Sequence, residues 1–147
     1  MADITDKIDR LLEKQAYLID LFPKTVPAKQ DGRYFEIEEY FRQNRQDTDR
    51  KFETVLLKLY CYYDFTVHTE DQTAVNPAPA HLLAMTDHCL KNRQPGENMY
   101  ILIPETESMI MLNGDDLYMV MYHPDQELKS LTAQLAASEG LFFYEAP

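Results

Sequence analysis

The chain has 147 residues, 45% of them apolar when Tyr and Cys are counted, and carries a formal charge of −11 from 25 acidic against 14 basic side chains. That length suits one ordinary domain, 1–147, with a buried core. The charge argues against nucleic acid, whose phosphates need neutralising cations, and against an anionic membrane surface, while permitting a basic protein partner.

The first segment, residues 3–22, has Ile4, Ile8, Leu11, Leu12, Leu18, Ile19 and Phe22 at helical spacing, which predicts one amphipathic helix. Its charges interrupt any membrane-spanning or signal-peptide run. Packing on the rest of the domain is the plain use of its stripe, and a homodimer helix is the alternative. Pro23 is expected to end this helix. The loop to Arg33 follows, with Lys24, Lys29 and Arg33 making it locally basic and Asp31-Gly32 as a turn signal. It contains no glycine-rich phosphate cradle.

Tyr34–Gln43 reads as a second helix with Tyr34, Ile37, Tyr40 and Phe41 as an aromatic face, and Glu36, Glu38 and Glu39 as solvated side chains. Phe52, Val55, Leu56, Leu59, Tyr60 and Tyr63 mark a third helix, capped by Asp47 or Thr48. Phe65, Val67 and Thr69 alternate as a short edge strand, and Glu70–Ala80 is read as a loop. Asn76 and Pro77 would open a fourth helix running to about Asn92.

From residue 99 the period changes. Met99–Ile103 forms a strand closed by Pro104. Met109–Leu112 and Leu117–Tyr122 are apolar runs joined around Asn113-Gly114, a pair that suits a hairpin turn. Apolar side chains occupy both faces of these runs, which implies cover on both sides. Pro124 is placed at the first position of a helix carrying Leu128, Leu131 and Leu135, with Gly140 just past its end and Leu141–Glu145 as a last strand. The expected fold is therefore α+β, with a helical N-terminal half on a mostly antiparallel sheet of about four strands and a C-terminal order β-β-β-α-β. No linker or internal repeat divides the chain.

The chemistry-bearing residues are few. His81, Met85, His88 and Cys89 form the group worth testing as a metal site, but the two histidines stand seven residues apart, about 10 Å along a helix axis. One zinc ion does not easily bridge that distance unless the helix starts after His81, and the i,i+4 histidine pair of a helical zinc motif is absent. Nucleophilic catalysis by Cys89 or Cys61 would require His81, His88 or His123 to approach through the fold. The two widely spaced cysteines read as reduced core or near-core thiols, which points to a cytoplasmic protein. No nucleophile elbow, dinucleotide fingerprint or P-loop is present, so no cofactor or metal is expected.

One asymmetry stands out between Gln94 and Leu128. This stretch holds Glu97, Glu105, Glu107, Asp115, Asp116, Asp125 and Glu127 and no Lys or Arg, together with Met99, Met109, Met111, Met119 and Met121. The acids form a possible interaction rim if the turns converge. The methionines suit a sheet core or an adaptable contact patch. The leading functional reading is a non-catalytic protein-interaction or self-assembly module, binding a protein partner or a second copy. The alternative is a small-molecule-binding protein or small enzyme with a Cys/His/Tyr-lined pocket.

Overall fold

Residues 3–22 do not form one helix. In the computed structural model, which describes residues 3–27, 32–91 and 97–147, helix α1 spans only Ile4–Leu11 and strand β1 takes Ala16–Asp20. Lys14 N donates to Leu11 O at the turn between them. Tyr17 and Ile19 then face one side of a sheet and Leu18 the other. A Leu-Ile pair satisfies a helical stripe and a strand equally well. Here the pairing partners decide, because β1 inserts between two strands that arrive about a hundred residues later.

The remaining elements are α2 (Arg33–Gln43), α3 (Arg45–Tyr60), β2 (Thr66–His68), β3 (Thr73–Val75), α4 (Pro79–Lys91), β4 (Asn98–Ile103), a 3-10 turn (Pro104–Thr106), β5 (Ser108–Asn113), β6 (Tyr118–Tyr122), α5 (Gln126–Ser138) and β7 (Phe142–Glu145). The strands make one seven-stranded sheet in the order β3-β2-β4-β5-β6-β1-β7, antiparallel at every pairing. The expected sheet of about four strands in β-β-β-α-β order is thus corrected. The chain after residue 98 supplies four of the seven strands, and the last of them pairs with β1 rather than with its sequence neighbours. The other three come from the N-terminal half, where only the strand at Phe65–Thr69 was expected; that strand is β2, and it lies between β3 and β4 rather than at an edge. Two of these form the β2–β3 hairpin, which takes Thr73–Val75 out of the expected loop.

Local signals explain most element boundaries. Pro104 closes β4, and a four-residue connection, 114–117, joins β5 to β6. Asn113 Oδ1 accepts from Asp115 N at 2.7 Å, the side-chain mimic of a turn that favours Asn there. Pro124 precedes α5 rather than opening it. Asp125 is the cap, and its Oδ1 accepts from Leu128 N at 2.8 Å. Gly140, at φ +75°, ends α5 with Leu141 N donating to Ala136 O and Gly140 N to Ala137 O, a paired closure that needs the left-handed backbone glycine adopts freely. α3 begins at Arg45, ahead of the expected cap, and α4 begins at Pro79. Lys29, Asp31, Asn92 and Gln94 lie outside the described residues.

Both faces of the central strands are covered, as their apolar patterning implies. Met99, Ile101, Ile103, Ile110, Leu112, Met119 and Met121 are buried in one core with Phe52, Val55, Leu56 and Leu59 of α3, Leu82 and Met85 of α4, and Leu128 of α5. On the other face, Ile8 of α1 is buried against Leu102 and Met109. The apolar stripe of α1, a candidate dimer contact from its sequence, is therefore used within the chain. No helix among the described residues is long and apolar enough to cross a membrane.

Candidate interaction surfaces

The antiparallel order sends alternate connections to opposite ends of the sheet, and this separates the acidic run. Asn98 pairs with Asn113 and Ile103 with Ser108, while Met109 pairs with Tyr122. Glu97, Asp115 and Asp116 therefore lie at one end, and Glu105, Glu107, Asp125 and Glu127 at the other.

At the first end Asp115 and Asp116 belong to a clamp, while Glu97 lines the concavity beside α4. Arg42 Nη2 donates to Asp115 O at 2.8 Å. Arg45 donates through Nη1 to Gly114 O and through Nη2 to Asp116 O at 3.5 Å, while its Nε meets Asp49 Oδ1 at 3.2 Å. The guanidinium is buried and ties the β5–β6 turn to the start of α3. Burial, then the charge of Asp115, pushes the Asp116 carboxyl upward, partly opposed by Arg42. The turn's contacts to arginine run through main-chain carbonyls, so they do not depend on the carboxylates.

The second end is different. Three of its four acids, Glu105, Asp125 and Glu127, line a groove of about 770 Å3 with Tyr62, Tyr63 and Leu131. The groove lies between the turn that ends α3, the 3-10 turn and the first turns of α5. Tyr62 N and Tyr63 N both donate to Leu59 O, which fixes the backbone of the two tyrosines at the helix end. Tyr62 is 64% exposed. Glu105 Oε1 accepts from Asp64 N at 3.3 Å, and Asp125 caps α5, so two of the carboxylates are positioned by main-chain donors. Among the described residues no lysine or arginine lines the groove. The Tyr63 phenol is raised by burial and then by the charges of Glu127, Asp125 and Glu105, so all three fields meet at one hydroxyl. Glu107 lies at the same end outside the lining, with a left-handed backbone and its carbonyl accepting from His123 Nδ1 at 3.1 Å.

The fold brings His81, Met85, His88 and Cys89 of α4 to one concavity of about 240 Å3, closed by the β2–β3 turn and the start of β4. His81 Nε2 lies 3.1 Å from Gln72 Oε1. His123 sits at the far end of the sheet, and no tyrosine is among the lining residues. Cys89 is 8% exposed and its Sγ donates to Leu112 O at 3.6 Å. Burial pushes its thiol up to about 11, so it stays protonated and weakly nucleophilic near neutral pH. Cys61 is exposed, with its Sγ donating to Leu57 O. Among the described residues no group of three or more His, Cys, Asp or Glu side chains can hold a metal ion. The concavity is also smaller than the roughly 300–1,000 Å3 usual for a small-molecule pocket.

The five methionines do not form a surface patch. Met99, Met109, Met119 and Met121 are fully buried, and Met111 is half-buried on the α1 side. The aromatic face expected on α2 is divided. Phe22 packs against Tyr34 and Phe41, while Phe35 and Tyr40 remain 71% and 61% exposed. The sequence marks Tyr60 and Tyr63 on the third helix but carries no signal that joins Tyr62 and Tyr63 to Glu105 and Glu127, because that adjacency arises only where α3 and α5 pack together.

Comparison with protein-family models, with curated proteins and with solved structures finds no match to this chain.

Proposed function

We propose that this protein is a non-catalytic protein-interaction module whose binding face is the groove bounded by Tyr62, Tyr63, Glu105, Asp125 and Glu127. The observation that carries the reading is the exposed tyrosine beside a groove with an apolar wall at Leu131. Tyrosine gives a rigid amphipathic contact with little entropy to lose, and it is enriched where protein surfaces meet. The interaction rim contracts to Glu105, Asp125 and Glu127, with Glu107 at its margin. Glu97, Asp115 and Asp116 serve the other end of the sheet. A Cys89-centred pocket is the weaker alternative, since its thiol is buried and hydrogen-bonded.

The test is selection of a random peptide library, displayed on phage, against the full chain. Binders are expected to lose affinity for Tyr62→Ala while that variant keeps its thermal midpoint. Selected binders insensitive to Tyr62, or no enrichment at all, would remove the groove as the binding face.

A further inference from the structure

We infer that the segment this groove accepts is basic, with an arginine or lysine side chain seated over Tyr62 and Tyr63 between Glu105 and Glu127. The inference rests on the groove being the binding face and adds the chemistry of the partner. Three carboxylates converge there, no lysine or arginine among the described residues lines the groove, and the whole chain carries −11. An apolar partner would strip water from those carboxylates and return nothing, and neutral donors would leave their charge uncompensated. A cationic one replaces that water with charge-assisted hydrogen bonds.

The carboxylates are also preorganised. Glu105 and Asp125 are each oriented by a main-chain N–H through one oxygen, leaving a second oxygen to accept from a guanidinium or ammonium group. The rings supply the rest, since a cation over a tyrosine face is attracted by its π-electrons. The chain already uses that contact elsewhere, with Lys129 Nζ 5.0 Å from the centre of the Tyr17 ring. Burial, and after it the charges of all three carboxylates, raise the Tyr63 phenol, which agrees with their convergence in the groove. A polyanionic partner would meet repulsion at the same point.

The experiment uses a short fluorescein-labelled peptide of alternating arginine and leucine, and the same peptide with neutral, isosteric citrulline at each arginine. Both are titrated at physiological ionic strength against the full chain and two variants. The first is Glu105→Gln/Asp125→Asn/Glu127→Gln. Asn keeps the helix cap and Gln keeps an acceptor for Asp64 N–H, so charge is removed with little loss of local structure. The second is Asp6→Asn/Asp9→Asn/Glu13→Gln, which removes the same charge from exposed positions on and just after α1.

The arginine peptide is expected to bind the native chain about tenfold more tightly than the citrulline peptide, and to lose that margin on the groove variant only. Equal binding of the two peptides, absence of binding, or equal losses on both variants would overturn the inference, the last by showing a diffuse charge effect. Neutral display-selected peptides that depend on Tyr62 and bind the groove variant normally would remove the basic partner while leaving the binding face intact. Absence of any Tyr62-dependent binder removes both.

Discussion

Glu53 shows how a residue's setting overrides its type. It lies on α3 facing α4, half-buried, hydrogen-bonded to Asp87 and near Asp49. Burial first, then the charges of Asp87 and Asp49, raise its carboxyl from 4.5 to about 7, against the opposing pull of Lys91. Arg45 pairs with Asp49 and Lys91 with Asp87, so cations flank the cluster without neutralising Glu53. A raised carboxyl means the folded chain holds a proton that the unfolded chain has released. The contribution of Glu53 to stability therefore falls as pH rises from about 4.5 through about 7, then levels off. Glu53→Gln keeps a hydrogen-bond donor toward Asp87 and cannot ionise. Urea denaturation across that range should show a shallower pH slope for the variant, and identical slopes would contradict the raised Glu53 carboxyl.

At the scale of elements, the buried Arg45 guanidinium ties the start of α3 to the β5–β6 turn, with Arg42 of α2 adding a bond to Asp115 O. Arg45→Met should leave Asp49 as a buried carboxylate without its partner and the Gly114 and Asp116 carbonyls without their donor. Breaking such a pair from one side costs about 3–5 kcal/mol, and replacing both members together costs less. Urea denaturation of Arg45→Met and of Arg45→Met/Asp49→Leu checks this, with the double variant expected to recover part of the loss. The start of α5 allows a finer test. Asp125→Ala removes the acceptor for Leu128 N and should cost about 1 kcal/mol, whereas Asp125→Asn, which preserves that acceptor, should cost little. Equal losses in the two variants would show that the charge, rather than the cap bond, matters at that position.

Across the whole molecule, the sheet is the layer against which the helices bury their apolar faces. Met119 is 1% exposed between the sheet and the α3–α5 layer, whereas Met111 is half-buried on the α1 side. Met119→Asp places an unpaired charge in the core and should abolish cooperative folding near neutral pH. Met111→Asp can turn its carboxylate toward water and should only weaken the fold. Thermal unfolding followed by circular dichroism separates the two, and similar midpoints would show that the two faces have been assigned wrongly.

Sequence by itself determined the features that depend on near neighbours. The Asn113-Gly114 connection, the strand closed by Pro104, the helix ended at Gly140, the acidic run and the apolar character of both sheet faces are all set within a few residues by turn chemistry, capping and periodicity. The thiols and histidines were legible as candidates, but whether Cys89 meets His81 and His88 or His123 was not. Only the tertiary structure decided that Ala16–Asp20 is a strand, because its hydrogen bonds go to Tyr118–Tyr122 and Phe142–Glu145, far along the chain. It also decided that the seven acids divide between two ends of the sheet, and that Tyr62 and Tyr63 join three of them. Strand order sets which turns share an end, and helix packing sets which termini meet. Both follow from long-range burial, on which local spacing places no constraint.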